Sequence, residues 1–168
     1  SFALRVVIVG PNLAKEKLPQ IYVALKKNNF HAIFVESVFE PVKLVNVINL
    51  GSDKEISHIL NRDVILFSAI GNPKAFQKTV EGLGGRAQKA FSFLDHHVYT
   101  QSDIKAIVEY GRIHNIKTFI TTQKDAVKLK GLIDLFPKGF EVFALAVSVK
   151  IIKGEEELGQ RINSILPR

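Results

Sequence analysis

The stretch Val64-Ile65-Leu66-Phe67-Ser68-Ala69-Ile70-Gly71-Asn72-Pro73 decides the fold. Its first four residues are apolar without alternation. A strand with one wet face would alternate, so this run reads as a strand covered on both sides, the position of a central parallel strand. The next residues change character. Gly71 permits a tight turn, Asn72 tolerates unusual backbone angles, and Pro73 suits the first position of a helix. Strand, turn and helix thus follow within ten residues.

Working outward, the same alternation repeats. Strand-like runs are Leu4–Val9, Ala32–Val35, Val64–Ser68, Ala87–Phe93, Thr118–Thr121 and Glu141–Val147. Helical patterns lie over Glu16–Lys27, Asp53–Leu60, Pro73–Leu83, Gln101–His114, Lys124–Leu132 and Glu155–Leu166. The first carries Leu18, Ile21, Tyr22 and Leu25 on one face. Thr100 with Asp103 three residues later resembles a capping box, and Thr122 is a second cap. The segment Ser37–Ser52 is the least regular: it reads as a short strand, Leu44–Ile48, or as a surface connection. The pattern predicts an α/β fold in a single domain. Its sheet is doubly wound and mostly parallel, with helices on both faces, a Rossmann-like arrangement. In such sheets ligands bind outside the carboxyl ends of the strands, which places three loops together: 69–73, 94–99 and 121–125.

Composition narrows the function classes. The chain has 168 residues, 46% of them apolar, enough for an ordinary core. It contains no Cys, which removes disulfides and thiolate metal sites. No apolar run is long enough to span a bilayer and no secretory signal opens the chain, so a soluble polypeptide is expected. It also contains no Met and opens directly on a core-like run, the expectation being a fragment whose upstream part is missing. The net charge of +7 favours anionic partners such as nucleotides, phosphorylated substrates, nucleic acid or anionic headgroups, without choosing among them.

Three clusters carry candidate chemistry. Asp95-His96-His97 combines two imidazoles that titrate near neutrality with a carboxylate that can orient one of them. The alternative is that both histidines cap the following helix or bond to backbone groups. A metal site is not expected, because no other histidine stands at ligating spacing. Thr121-Thr122-Gln123-Lys124-Asp125 sets hydroxyls and a cation at a strand-to-helix turn, where free N–H groups and the dipole attract anions. The alternative there is a plain cap with solvated Lys124 and Lys128. Gly71-Asn72 forms the third cluster, or simply a turn. Gly-x-x-x-x-Gly-Lys-Ser/Thr is absent, as is Gly-x-Gly-x-x-Gly, so ATP binding does not follow from these residues alone.

In order and spacing, Ile70-Gly71-Asn72-Pro73 with Phe76, Phe93-Leu94-Asp95-His96-His97-Val98-Tyr99-Thr100 and Thr121-Thr122-Gln123-Lys124-Asp125-Ala126-Val127-Lys128-Leu129 resemble the carboxy-terminal half of the lipid A 4′-kinases. The resemblance is strongest over 64–132. It implies transfer of the ATP γ-phosphate to the 4′-hydroxyl of a tetraacyldisaccharide 1-phosphate, at the cytoplasmic face of the inner membrane. It also implies a second, amino-terminal lobe bearing the P-loop, the carboxylates for Mg²⁺ and a membrane-associating helix. That lobe and the anionic membrane surface become expected partners, and nucleic acid does not. The resemblance further implies a histidine that works with an aspartate of the other lobe to activate the sugar hydroxyl; by position that role falls on His96, with Asp95 and His97 beside it. Gly71, Asn72, Thr121, Thr122, Lys124 and Asp125 become the candidate cofactor contacts. The isolated chain is then expected to be inactive. Three positions depart from the family pattern: Ala69 for Gly, Leu94 for Pro and Gln123 for Glu. The turn Val9-Gly10-Pro11-Asn12 also differs.

Two other function classes remain. A phosphoesterase of the Asp-His-His type would need an Asp-x-Asp upstream, and none occurs. A non-catalytic nucleotide-binding or interaction module fits the architecture alone.

Overall fold

Strand β3 (Asp63–Ser68) lies where the opening sequence places it, with Val64 to Ser68 all buried. The structure, a computed structural model, describes residues 6–9, 19–20, 23–24, 27 and 33–165. The chain divides into two compact units. One comprises Ser1–Glu40 and Ser148–Arg168, the other Pro41–Val147.

The second unit is built on parallel strands. Beside β3 run β4 (Arg86–Ser92) and β5 (Thr118–Thr122), and β5 pairs in turn with β6 (Glu141–Lys153). The order is therefore β6-β5-β3-β4. The chain leaves β3 outward to β4 through helix α1 (Pro73–Gly82). It then returns past β3 to β5 through helix α2 (Gln101–Ile113). Because right-handed crossovers running in opposite directions fall on opposite faces, α1 and α2 cover the two sides. The core divides accordingly. Ile65, Phe67 and Phe119 pack with Ile104, Ile107 and Val108 of α2. Val64, Leu66 and Ile120 pack with Val80 and Phe76 of α1. Alternate residues of one strand thus feed two separate cores, which explains the unbroken apolar run. The reversal of strand order between β3 and β5 is a topological switch point.

In the first unit, β1 (Val6–Val9) pairs in parallel with the start of β2 (Ile33–Asn46), Val6 opposite Ile33 and Val9 opposite Glu36. Helix α4 (Glu155–Ile165) follows β6. Gly154 joins them at φ +81°, where a β-carbon would collide with the Phe34 carbonyl oxygen. Of the helix expected over Glu16–Lys27, residues 19–20, 23–24 and 27 are helical. Its other residues, Leu4, Arg5, the turn residues Gly10 to Asn12, and Leu166 lie outside the described residues.

Three expectations need correction. Ser37–Ser52 is no irregular connection over its first half, since β2 runs on to Asn46. Phe39, Glu40, Val42 and Lys43 are exposed there. The strand therefore shows no alternation in its middle, and Pro41 argues further against a strand. The helix expected over Asp53–Leu60 is a single 3₁₀ turn, Ile56–Ile59. Lys54 instead forms an antiparallel bridge to Leu44, and Asp53 takes Lys43 at 2.7 Å and the Asn46 N–H. The helix expected over Lys124–Leu132 is four residues of α3 (Gln123–Ala126) followed by a 3₁₀ turn, Val127–Leu129. So short a helix has little dipole to offer an anion.

Candidate functional site

Each of the three loops is shaped by its own cap. In the β3–α1 loop, Asn72 accepts the Ala75 N–H at 3.0 Å and Pro73 opens α1. In the β4–α2 loop, Thr100 accepts the Asp103 N–H, while Asp103 accepts the Thr100 N–H at 2.8 Å. This closes the capping box that the sequence suggests. In the β5–α3 loop, Thr122 accepts the Asp125 N–H at 3.1 Å.

Side chains then tie the loops to one another. Asp125 has no exposed surface. Its Oδ2 accepts the Ala69 N–H at 3.0 Å and the Thr122 hydroxyl at 2.7 Å, and its Oδ1 accepts Lys128 Nζ at 2.9 Å. One buried carboxylate therefore fastens the β5 loop to the end of β3, across the switch point. Thr121 is buried as well, its hydroxyl donating to the Phe67 carbonyl at 2.8 Å. A second link lies at the surface, where Lys124 Nζ donates to Asp95 Oδ1 at 2.8 Å. The third loop joins here too: a β-carbon on Gly71 would sit 3.7 Å from Asp95 Oδ2.

The two adjacent histidines diverge. His96 stands at φ +65°, the left-handed region. Its ring is 80% exposed, with Nε2 3.7 Å from Asp95 Oδ2. That separation is an electrostatic contact and not a hydrogen bond. The His96 backbone N–H donates to Asp95 Oδ1 at 3.0 Å. His97 turns inward. Its ring stacks on Phe93 at 4.7 Å, meets Tyr99 edge-on, and bonds to Asp103 Oδ2 at 2.9 Å.

Electrostatics follow from these contacts. The Asp95 carboxyl is held below its ordinary range, first by the Lys124 hydrogen bond, against partial desolvation, with His96 adding a favourable charge. Tyr99 is only 4% exposed. Burial is the main cause of its phenol being pushed above the ordinary value, and the Asp125 charge adds to it. Its hydroxyl lies near Thr121 and Asp125 but makes no hydrogen bond of good geometry among the described residues.

Of the sequence-predicted site residues, Asp95, His96, Gly71, Asn72 and Lys124 share the exposed rim, with Thr122 half-buried beside them. Thr121 and Asp125 face the interior, where they hold the loops together. His97 belongs to the wall under the loop. Lys128 is not the solvated residue of the plain-cap alternative. Its ammonium binds buried Asp125 and lies 5.9 Å from the Tyr99 ring centre. The Asp-x-x-Lys spacing on a helical turn was the available signal.

A family model described as LpxK, tetraacyldisaccharide-1-P 4′-kinase, matches residues 4–167. The chain belongs to this family. Two relatives named tetraacyldisaccharide 4′-kinase are similar to the chain. That of Halothermothrix orenii is 29% identical over 165 residues and matches 90% of the chain, and that of Elusimicrobium minutum is 30% identical and matches 97%. The chain spans 42% of the length of each. A crystal structure of LpxK from Aquifex aeolicus, titled as an "apo" form in complex with ATP, has a TM-score of 0.56 at 23% identity. The match covers 98% of the chain and 53% of that structure, a likeness of fold.

The departures from the 4′-kinase family pattern are mild in this setting. Leu94 is exposed and leaves the core untouched. Ala69 keeps the backbone N–H that Asp125 accepts. Gln123 accepts the Val147 N–H through Oε1 at 3.2 Å. A glutamate could accept that bond equally, so the substitution retains an acceptor and loses a charge.

Proposed function

We propose that the chain is the carboxy-terminal part of a two-lobed tetraacyldisaccharide 4′-kinase, which transfers the ATP γ-phosphate to the 4′-hydroxyl of a tetraacyldisaccharide 1-phosphate. The observation that supports this reading is the convergence of the three family motifs on one rim, with the His96 ring exposed beside Asp95. Phosphoryl transfer requires positioning and a proton acceptor more than covalent chemistry.

His96 is the acceptor. Its Nε2 takes the proton of the sugar hydroxyl as that oxygen attacks the γ-phosphorus and the bond from that phosphorus to the departing ADP breaks, and Asp95 stabilises the imidazolium that results. ATP, when bound, supplies the phosphoryl group. Lys124 and the amide of Asn72, both exposed on the rim, suit a phosphate oxygen. Thr122 and Gly71 shape that surface. Asp125 and Thr121 act from within by holding the loops, and His97 by fixing the turn on which His96 rides. Mg²⁺ does not fit here: among the described residues no group of three or more His, Asp or Glu could hold a metal. Its ligands, with the P-loop, are assigned to the amino-terminal lobe, and no step is routed through it in this chain. No described helix is long and apolar enough to cross a membrane. Work at the cytoplasmic face of the inner membrane, against an anionic surface, would then depend on that other lobe.

The test is His96→Ala in the two-lobed enzyme. Loss of a positioned general base lowers kcat by on the order of 10²–10⁴-fold, with the KM for ATP little changed. An unchanged kcat removes His96 from the mechanism, and the isolated chain is expected to show no kinase activity.

A further inference from the structure

We propose that Asp95 is a shared carboxylate and that Lys124 is the positioning residue that decides its partner. With the ammonium in place, Asp95 is held off the His96 ring. When a phosphate group on a ligand draws the ammonium away, the carboxylate turns to the imidazole. The proposal rests on the reading of His96 as the proton acceptor and adds to it a coupling between anion binding and the readiness of that base.

The geometry is that of a carboxylate already spoken for. Asp95 Oδ1 receives both the Lys124 ammonium at 2.8 Å and the His96 backbone N–H at 3.0 Å. Oδ2 faces the His96 ring at 3.7 Å, too far for a hydrogen bond. A modest rotation of the carboxylate, with the backbone bond as pivot, would close that gap. Lys124 opposes the rotation because its charge-assisted bond is the shorter and stronger of the side-chain contacts. Lys124 and Asp95 are each close to half exposed, so both can move.

The neighbouring charges leave this three-way arrangement intact. His97 is engaged with Asp103, which also accepts the Thr100 N–H. Asp125 is committed to Lys128, Ala69 and Thr122. Asp95 is thus the carboxylate within reach of the His96 ring among the described residues, and Lys124 is the cation upon it. A phosphate competes well for such an ammonium, being a stronger acceptor with more charge.

Ring-resonance titrations of the 168-residue chain by NMR test the coupling directly. In Lys124→Gln, the His96 midpoint should rise by about half to one pH unit. That lies at or below the low limit of the usual effect of a neighbouring opposite charge, about one to three units, because the site is exposed. The His97 midpoint should stay in place. In Asp95→Asn with Lys124→Gln, the rise should vanish relative to Asp95→Asn alone. No rise in Lys124→Gln overturns the proposal. So does an equal rise in the Asp95→Asn background, which would mean direct repulsion between Lys124 and His96. In the two-lobed enzyme, ATP and the acyl-disaccharide 1-phosphate are added separately. Whichever brings its phosphate to Lys124 raises the His96 midpoint by more in wild type than in Asp95→Asn, and an equal rise in both, or no rise with either ligand, refutes the ligand step. These readouts need no turnover, so their failure leaves the kinase reading standing, while full activity of His96→Ala would sink that reading and leave the coupling intact.

Discussion

Asp125→Ala removes a carboxylate with no exposed surface that holds three groups at once. The Ala69 N–H at the end of β3 loses its acceptor inside the protein, a loss of about 1–3 kcal/mol. Lys128 loses its counter-ion. Breaking a fully buried pair costs about 3–5 kcal/mol, but Lys128 is 20% exposed and can recover part of its hydration. Together these give a destabilisation of about 3–4 kcal/mol for the unit spanning Pro41–Val147, or roughly 6–16 °C in Tm for a chain of this length. Asp125→Asn keeps the size and one acceptor but turns an amide toward a neighbouring donor, so it should fall between wild type and Asp125→Ala. Urea unfolding followed by circular dichroism measures the whole effect, and hydrogen exchange at the Ala69 amide localises it. That amide should exchange about 100-fold faster if its loop opens at a cost lower by about 3 kcal/mol. A loss below about 1 kcal/mol with Ala69 still protected would refute the idea that this carboxylate clamps the two loops.

Two further outcomes follow from packing and capping. A β-carbon at Gly111 would lie 2.6 Å from Phe119 Cζ and 2.8 Å from the Ile116 carbonyl oxygen, so Gly111→Ala should destabilise by about 1–3 kcal/mol despite its better helix propensity. A higher Tm would contradict this. Thr100→Ala removes the cap of α2 and should cost about 1–2 kcal/mol at neutral pH, with Thr100→Ser retaining most of it. Burial acts to raise the Asp103 carboxyl, but bonds from the Thr100 N–H, His97 and the Thr100 hydroxyl outweigh it and leave the group lowered. A lowered carboxylate contributes stability above its unfolded value of about 3.9 and loses it as pH falls through the folded value. The penalty of Thr100→Ala should therefore shrink in acid, and a penalty constant from pH 7 to pH 2.5 in thermal melts would contradict the assignment.

The central strands were legible because both their faces are covered, and Val64 to Phe67 say so without ambiguity. The caps at Thr100 and Thr122 were legible because their partners lie three residues away. Long-range choices were not. Nothing local shows that Asp125 and Thr121 turn inward while Lys124 turns outward, since all three stand in one polar turn. The extension of β2 was hidden because Phe39 and Val42 are exposed and Pro41 argues against a strand. The divergence of His96 and His97 was left open by the sequence, and it is settled by Phe93 and Asp103, which hold one ring and leave the other.

His96 sits where glycine would be the more comfortable occupant, because a β-carbon at φ +65° is disfavoured by roughly 1–2 kcal/mol. Random drift at this position should therefore run toward a steadier and simpler loop. An imidazole at this position carries a cost that the shape of the loop alone does not require.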